Sequence, residues 1–422
     1  MALTLSAFIE QAAMYPVLWL IVALVIAVTV ISGATDAPNA IATAVSTRCL
    51  RPGTAIALAS VFNFVGLLGM TYISTAVAHT MFGMVDFSGN THAALLALVA
   101  AMIGAIVWGV FCWLMGIPAS KSHSLIAGIT GGAIALNGWA GVVPSEWAKV
   151  IYGMVFSLGA GFILGCVLMK FINFACRNAN RRSANRFFMA VQDVCAVALS
   201  FLHGAQDGQK FMSIAMLGIA LSFGSSTPDA GGFPMWVMIT CSLAISAGTV
   251  VGGKRIIKSV GMDMVKLEKY QGVAANFSTV FTLLFASLTG MPVSTGHCNT
   301  SAIMGVGAAK SIKRVNWSIA KNMLMAWIIT FPACGFGRFD QYMWPFYKKD
   351  VIDEGILTRD EALELVECLY LKACEVYEVR DTWYATAFAG YPMWQILVVG
   401  GMKRDGSDAS NDLSLLCLQA AD

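Results

Sequence analysis

A run of fifteen apolar or near-apolar residues, Val17–Ile31, leads directly into a segment of opposite character, SGATDAPNAIAT at Ser32–Thr43. This segment contains Asp36, and a carboxylate at the depth of a lipid bilayer costs about 3 kcal/mol or more. It also contains Pro38, which removes a backbone donor and breaks a helix. Broken helices occur in membranes only where protein or a water-filled cavity satisfies the freed backbone groups. The pattern therefore indicates a membrane helix interrupted at a functional site.

Two kinds of polar motif each occur twice along the chain. A second apolar run is interrupted by HGAQDGQK at His203–Lys210, and Gly33 and Gly204 are 171 residues apart. A second pair of motifs, PASKSH at Pro118–His123 and PVSTGH at Pro292–His297, repeats after 174 residues. The four motifs alternate along the chain, which indicates an internal duplication. Paired interruptions in two halves are typical of secondary transporters, and we expect an inverted repeat, although the sequence alone also allows parallel halves.

Composition divides the chain into two physically different parts. The hydrophobic share is 57% and the charged share 12%, which excludes an ordinary soluble domain. Residues 1–337 carry 19 basic and 9 acidic side chains, whereas residues 338–422 carry 8 and 15. We predict transporter repeat one at 1–170, a basic cytoplasmic loop at 171–187 by the positive-inside rule, and repeat two at 188–337. The acidic remainder is a separate, soluble tail.

The predicted fold is an all-α polytopic membrane protein with about ten transmembrane spans and broken or re-entrant helices in an inverted repeat, plus the short soluble tail. No basic residue precedes the first helix and no small-residue cleavage site follows it, so a removable signal peptide is not expected. The eleven cysteines have no metal-like spacing and are interpreted as small apolar residues. The apolar spans are Val17–Ile31, Thr54–Ile73, Ala94–Met115, Val150–Phe171, Phe188–Leu202, Met235–Val251, Gly272–Leu288 and Trp317–Gly335.

The second pair of motifs has the composition of helix N-termini, with proline and serine ahead of an apolar run. Free backbone N–H groups and the positive end of the dipole make such a terminus an anion site. Two termini meeting at the midplane would hold a small tetrahedral oxyanion between them. Ordinary N-capping by Ser120 and Ser294 is the alternative, and the matched repetition favours the anion site. The candidate substrate-binding residues are Ser120, Lys121, Ser122, Ser294, Thr295 and Gly296.

The first pair of motifs cannot hold an anion directly, because Asp36 and Asp207 would repel it. Amide and hydroxyl oxygens beside carboxylates suit a hard cation or a proton relay, and either would couple anion uptake to an ion gradient. Lys121 and Lys210 would neutralise these carboxylates or reach the anion, with snorkelling of Lys210 to an interface as the alternative. The candidate cation-coupling residues are Asp36, Asn39, Gln206, Asp207 and Lys210, with Asp36, Asn39 and Asp207 as sodium ligands. No cofactor other than the coupling ion is expected.

Three histidines, His123, His203 and His297, lie inside the motifs, and we expect them to pack rather than to titrate. Ser120 and His123 could mimic a nucleophile and its base, but no acidic residue follows at a spacing that would indicate a catalytic triad. A transporter is therefore expected rather than an enzyme.

Over residues 1–335 the sequence resembles the bacterial branch of the PiT family of inorganic phosphate transporters. The resemblance implies phosphate bound by the two serine turns, sodium or proton coupling through the aspartate motifs, and the inner cell membrane as location. It assigns sites to Asp36, Asn39, Asp207, Ser120, Ser122, Ser294 and Thr295. The motifs that carry it are Gly33–Arg48, Val61–Gly66, Gly116–Gly128, His203–Met212 and Pro292–Lys310.

Several residues depart from the family pattern. Lys121 stands where the family usually has Ser or Thr, and Gly296 where it usually has Thr. Thr35 and Gln206 each replace the usual Asn, and Pro38 replaces a small residue in the first motif. A cation in the anion turn could tighten binding of a divalent oxyanion, or it could replace a coupling cation.

The tail resembles an internal piece of pyruvate formate-lyase-like glycyl radical enzymes, at Arg338–Asp350, Leu357–Leu365 and Gly390–Ala420. Cys368, Cys374 and Cys417 match neither motif that such an enzyme needs, so we predict a non-catalytic fragment. Within it, Glu361–Lys372 is predicted as an amphipathic helix with Leu363, Val366 and Leu369 on one side.

The sequence thus predicts an importer of inorganic phosphate, coupled to sodium or protons and embedded in the lipid bilayer. A sulfate permease of the same fold and a membrane-tethered accessory of a glycyl radical enzyme are the alternatives. No nucleic-acid partner is expected, and the oligomeric state is left open, with a homodimer as one candidate.

Overall fold

The computed structural model of the chain describes residues 4–115, 120–224, 232–258, 267–315, 317, 321, 330, 347–375 and 411–419; side chains at 113–115, 253–258, 314 and 369–375 are outside the description. The described part is helical. Its helices are α1 (Leu5–Met14), α2 (Val17–Thr35), α3 (Ala37–Ser46), α4 (Pro52–Ile73), α5 (Ala76–Gly83), α6 (Thr91–Met115), α7 (Lys121–Asn137), α8 (Pro144–Ala175), α9 (Arg181–Ser222), α10 (Met235–Lys258), α11 (Lys269–Thr289), α12 (Thr295–Lys310), α13 (Arg359–Glu375) and α14 (Asp412–Gln419).

Seven helical stretches among the described residues are long and apolar enough to cross a membrane, with α2 and α3 counted as one. The prediction of a polytopic helical membrane protein is therefore confirmed. The number of ten spans stays a prediction, and most of the last expected span, Trp317–Gly335, lies outside the described residues. Helices α7 and α12 have 17 and 16 residues. At about 1.5 Å per residue they are shorter than the roughly 30 Å hydrocarbon core, as re-entrant helices would be.

The apolar run that opens the chain is interrupted where the sequence predicts it. Helix α2 ends at Thr35, and α3 begins at Ala37 with Pro38 in its first turn. Asp36 forms the joint between the two helices. Since Pro38 has no backbone N–H to continue the hydrogen-bond ladder, the helix is divided in two.

The second aspartate motif is not broken, so the prediction of a matching break there is wrong. Helix α9 continues through His203–Lys210 without interruption. This motif has glycine but no proline, and a glycine inside a helix costs only about 1 kcal/mol. Its glycines serve close packing instead. A Cβ on Gly204 would meet the Asn63 Cα at 2.7 Å, and one on Gly208 would meet the Leu67 side chain at the same distance.

Helices of the first half pack directly against helices of the second half. Helix α2 packs on α10 from the second half, and α9 packs on α4 from the first. Gly33 lies against the backbone of Ile245, as Gly204 lies against that of Asn63. Small residues let helix backbones approach closely in membranes. The serines at the α4–α10 contact are reciprocal, because Ser60 donates to the Ser246 carbonyl at 3.1 Å and Ser246 donates back at 2.7 Å. The inverted orientation of the halves stays a prediction.

The tail forms the predicted helix. Helix α13 begins with a capping box, in which the N–H and hydroxyl of Thr358 donate to Glu361 at 2.8 and 2.9 Å. These bonds lower the pKa of the exposed Glu361 carboxyl. Ala362 and Val366 are buried, and α13 packs on α14, where Arg359 donates to Gln419 at 2.9 Å.

Candidate functional site: a paired helix terminus beside two aspartates

Helices α7 and α12 begin in the same way. Each is preceded by a serine with extended backbone, Ser120 or Ser294, whose hydroxyl oxygen accepts the N–H of the histidine three residues later, at 3.3 and 3.4 Å. The capping role considered for these serines is therefore present. Capping uses one acceptor lone pair, so each hydroxyl hydrogen can still donate. The first N–H groups of a helix have no partner within the helix, and here those of His123 and His297 donate to the capping serines and that of Lys121 donates to Asp36.

The two helix starts meet. The imidazole rings of His123 and His297 lie edge to face with centroids 4.4 Å apart, and both side chains are buried. Two positive helix ends therefore converge at one place, as an anion site between them requires. Thr295, the first residue of α12, is 5% exposed. Its hydroxyl has no hydrogen-bond partner in the described part of the chain, so it is a buried donor available to a ligand.

Lys121 links the first helix start to the first aspartate motif. Its backbone N–H donates to Asp36 Oδ2 at 3.4 Å, and its charge acts on that carboxylate. The side chain is 1% exposed and runs past α6, where a Cβ on Gly109 would lie 3.2 Å from the Lys121 Cε. The Thr35 hydroxyl lies 3.2 Å from Asp36 Oδ1 and 2.9 Å from the Ile31 carbonyl, so its one proton can donate to either acceptor.

Asp207 lies at the centre of a buried polar cluster. Its carboxylate accepts from Lys210 Nζ at 2.8 Å and from the Ser122 hydroxyl at 3.3 Å, and it contacts His203 Nε2 at 3.2 Å. The Ser32 hydroxyl donates to Oδ2 at 3.5 Å. Asp207 and Lys210 are at most 1% exposed, and such a pair is tolerated only with further hydrogen bonds around it.

Lys210 is therefore a buried binding group, and the alternative that it snorkels to an interface is wrong. Its ammonium donates to Asp207 Oδ1, to Ser122 Oγ at 2.8 Å and to the carbonyl of Val293 at 2.5 Å. These three acceptors match the three protons of an ammonium group. They come from three of the four motifs, so Lys210 ties the two halves together at the site.

The profile of the phosphate transporter family matches residues 32–337, on which nearly all of these side chains lie. The chain belongs to the phosphate transporter family. It is 36% identical over 313 residues to a probable low-affinity inorganic phosphate transporter of Bacillus subtilis, covering 74% of this chain and 92% of that one. The corresponding protein of Rhizobium meliloti is 37% identical over 322 residues, covering 76% and 93%.

The fold of this family member matches a solved structure. A sodium-dependent phosphate transporter superposes with a TM-score of 0.69 at 22% identity, covering 76% of this chain and 96% of the other. The predicted family and the assignment as a multi-pass membrane transporter rather than an enzyme are thus confirmed. A pyruvate formate lyase-like profile matches residues 319–422 and overlaps the transporter profile by its first part.

In this phosphate transporter family member, Asn39 and Gln206 occupy different surroundings. The Asn39 carbonyl accepts from Asn299 Nδ2 at 2.7 Å, and its side chain faces Gly296, where a Cβ would lie 3.1 Å from Asn39 Nδ2. Gln206 is directed towards the end of α11 instead, donating to Ser287 Oγ at 2.9 Å and to the carbonyl of Met291 at 3.4 Å. Asn39 is thus part of the contact between motifs, while Gln206 braces a loop.

Some residues that contact the site were not among the site residues predicted from the sequence. Asn63 Oδ1 accepts from His203 Nδ1 at 2.8 Å, and Asn63 Nδ2 donates to Thr249 Oγ1 at 3.1 Å, so Asn63 orients the histidine that touches Asp207. Ser32 and Asn299 reach the aspartate motifs from the same surroundings. A signal existed for Asn63, because a polar amide inside an apolar span marks a functional position by default.

Proposed function

We propose that this chain is a secondary active transporter that imports inorganic phosphate together with a cation, sodium or proton, across the cell membrane. The observation that carries the proposal is the meeting of the α7 and α12 N-termini at the His123–His297 contact. A helix N-terminus presents free N–H groups and a positive dipole end, and two of them oppose a dianion from both sides. The names of the relatives support phosphate as the anion.

The anion site of this proposal consists of the first turns of the two helices. The hydroxyls of Ser120, Ser294 and Thr295 and the N–H groups of the first turns would donate to the phosphate oxygens, with Gly296 allowing close approach. Lys121 would add a positive charge. Ser122 belongs to the same turn, but its hydroxyl is bonded to Lys210 and Asp207, so its contribution would come from its backbone N–H.

The cation site of this proposal is the Asp36 side. Thr35, Asp36 and Asn39 offer a hydroxyl, a carboxylate and an amide, which are the oxygen donors that a hard cation prefers. Asp36 is buried, so a positive ion beside it would offset the cost of a carboxylate at this depth. The sodium dependence stated in the name of the solved relative supports coupling to a cation. Proton coupling through the same carboxylate is the second form of the proposal.

Uptake of radiolabelled phosphate into proteoliposomes tests this function. Purified protein is reconstituted, and uptake is compared under an inward sodium gradient, an inward proton gradient and no gradient. We expect gradient-driven accumulation that arsenate, a tetrahedral analogue of phosphate, inhibits. Stronger competition by sulfate than by arsenate would contradict the phosphate assignment, and accumulation without any gradient would contradict secondary active transport.

A further inference from the structure

The two aspartate motifs differ at one position that matters for charge. The offset of 171 residues that relates Gly33 to Gly204 also relates Asp36 to Asp207 and Asn39 to Lys210. The first half therefore reads D-x-x-N and the second D-x-x-K. One half carries a neutral amide where the other carries an ammonium.

The surroundings of these two side chains correspond as well. Lys210 contacts Ser122 of the α7 turn, and Asn39 faces Gly296 of the α12 turn. Ser122 and Gly296 are related by the 174-residue offset of the second pair of motifs. The amide and the ammonium thus occupy matching places in the two halves, each between an aspartate motif and the serine turn of the other half.

The ammonium of Lys210 is surrounded as a bound cation would be. A carboxylate, a hydroxyl and a backbone carbonyl accept from it within 2.8 Å. These are the ligand types that a hard monovalent or divalent ion takes from proteins. Lys210 is 0% exposed, and Asp207 is 1% exposed, so the charge pair is closed off from solvent.

We propose that the Lys210 ammonium is a tethered cation that permanently fills the ion position of the second half, so that only the Asp36 half exchanges a cation with solution. This deepens the proposed function, on which it rests. The first half has the carboxylate but a neutral Asn39, and Gly296 stands at the position that matches Ser122, so this half has neither the ammonium nor the hydroxyl at these two places. Lys121 is not the counterpart of Lys210, because it matches Thr295 of the other half; it belongs to the α7 turn, from which its charge acts on Asp36.

The substitution Lys210→Asn tests the proposal because it gives the second half the residue of the first. Binding of radioactive sodium to purified protein is measured first, without phosphate. We expect the variant to bind one sodium ion more per chain than the unsubstituted protein, since the vacated position keeps its carboxylate, hydroxyl and carbonyl. Equal sodium binding by the two proteins would overturn the proposal. This measurement is independent of phosphate, so it separates the present proposal from the proposed function.

Phosphate uptake provides the second readout. Sodium removal should lower uptake by Lys210→Asn roughly tenfold or more beyond its effect on the unsubstituted protein, within the usual range of coupling between two bound ligands. Lys210→Met removes the ammonium without supplying an oxygen ligand, and sodium should not restore its uptake. A folded Lys210→Asn protein that is inactive at every sodium concentration would overturn the proposal, and so would one with unchanged sodium dependence.

The reciprocal variant keeps the test decisive if Lys210→Asn does not fold. Asn39→Lys should supply a tethered cation to the first half. Phosphate binding to the solubilised variant should then lack the stimulation by sodium or acid that the proposed function predicts for the unsubstituted protein. Phosphate binding by Asn39→Lys that stays cation-stimulated would contradict a tethered role for a lysine at this place. Absence of phosphate binding in the unsubstituted protein would instead contradict the proposed function.

Discussion

His123 and His297 are in edge-to-face contact, with ring centroids 4.4 Å apart, and each is the third residue of a helix capped by a serine. The contact joins the two copies of a duplicated motif, 174 residues apart in the sequence. It fixes the first turns of α7 and α12 beside one another, so that the positive dipole ends of the two helices meet at one place. The two histidines thus pack against each other, in line with the expectation that they pack rather than titrate.

Thr295→Val should weaken phosphate binding without destabilising the protein. The Thr295 hydroxyl is buried and has no partner among the described residues, so its removal breaks no intramolecular hydrogen bond. Losing one donor to a charged ligand costs about 1.5–3 kcal/mol, which corresponds to roughly a tenfold or greater loss of affinity. Thr300→Val is the matched control, because the Thr300 hydroxyl is also buried and unpartnered in the described region but lies further along α12. Phosphate affinity and melting temperature check both; an equal loss of affinity in the two variants would contradict the role of Thr295.

Asp207→Asn should destabilise the protein strongly. The variant leaves the ammonium of Lys210 buried without its carboxylate, and breaking one partner of a buried ion pair costs roughly 3–5 kcal/mol. Thermal unfolding in detergent measures the change. The double variant Asp207→Asn with Lys210→Met should recover most of the stability, because the uncompensated charge is gone. A double variant as unstable as the single one would contradict this account.

Asp36→Asn should act differently from Asp207→Asn. Asp36 lies 3.2 Å from the Thr35 hydroxyl and accepts the Lys121 N–H at 3.4 Å, and the side-chain oxygen of an asparagine can accept the same hydrogen bonds. We therefore expect a smaller change in stability than in Asp207→Asn, with loss of the sodium or proton dependence of uptake. Uptake in proteoliposomes with and without an ion gradient checks this. Unchanged gradient-driven uptake would show that Asp36 does not couple the ion.

The sequence predicts the positions of the spans well, because long apolar runs leave few alternatives in a bilayer. The span expected at Gly272–Leu288 lies within α11, and that at Thr54–Ile73 within α4. The four motifs are equally visible, because polar residues in apolar runs are conspicuous. Which motif contacts which is not visible, since Ser122 meets Lys210 across 88 residues and no local periodicity encodes that pairing.

The uninterrupted helix at His203–Lys210 shows the same limit of prediction from sequence, because a distant segment decides the outcome. A glycine in a sequence is compatible with a helix break and with a close helix contact, and the neighbouring helix decides between them. At Gly204 the neighbour is the backbone of Asn63 on α4, which is distant in the sequence. At Asp36 the nearby Pro38 settles the outcome locally, because proline removes a backbone donor whatever surrounds it.

Gly296→Ala should impair phosphate uptake by crowding the contact between the two halves. An added Cβ would lie 3.1 Å from Asn39 Nδ2, so the amide must shift by a few tenths of an ångström away from α12. We expect a several-fold loss of apparent cation affinity, because a displacement of this size costs about 1 kcal/mol. Gly159→Ala in α8 is the control, since a Cβ there meets nothing within 4 Å. Comparable losses in both variants would point to a general helix effect.

Deletion of residues 338–422 should leave phosphate uptake per transporter unchanged. All residues assigned to the two ion sites precede α13, and α13 and α14 pack on one another and each has a buried apolar side chain, Val366 and Leu416. The deletion begins at the predicted boundary between transporter and tail, and it removes α13 and α14 together. Uptake by equal amounts of reconstituted full-length and shortened protein measures the effect. If the shortened protein stays monodisperse but loses uptake, the tail contributes to transport and the predicted division of the chain is wrong.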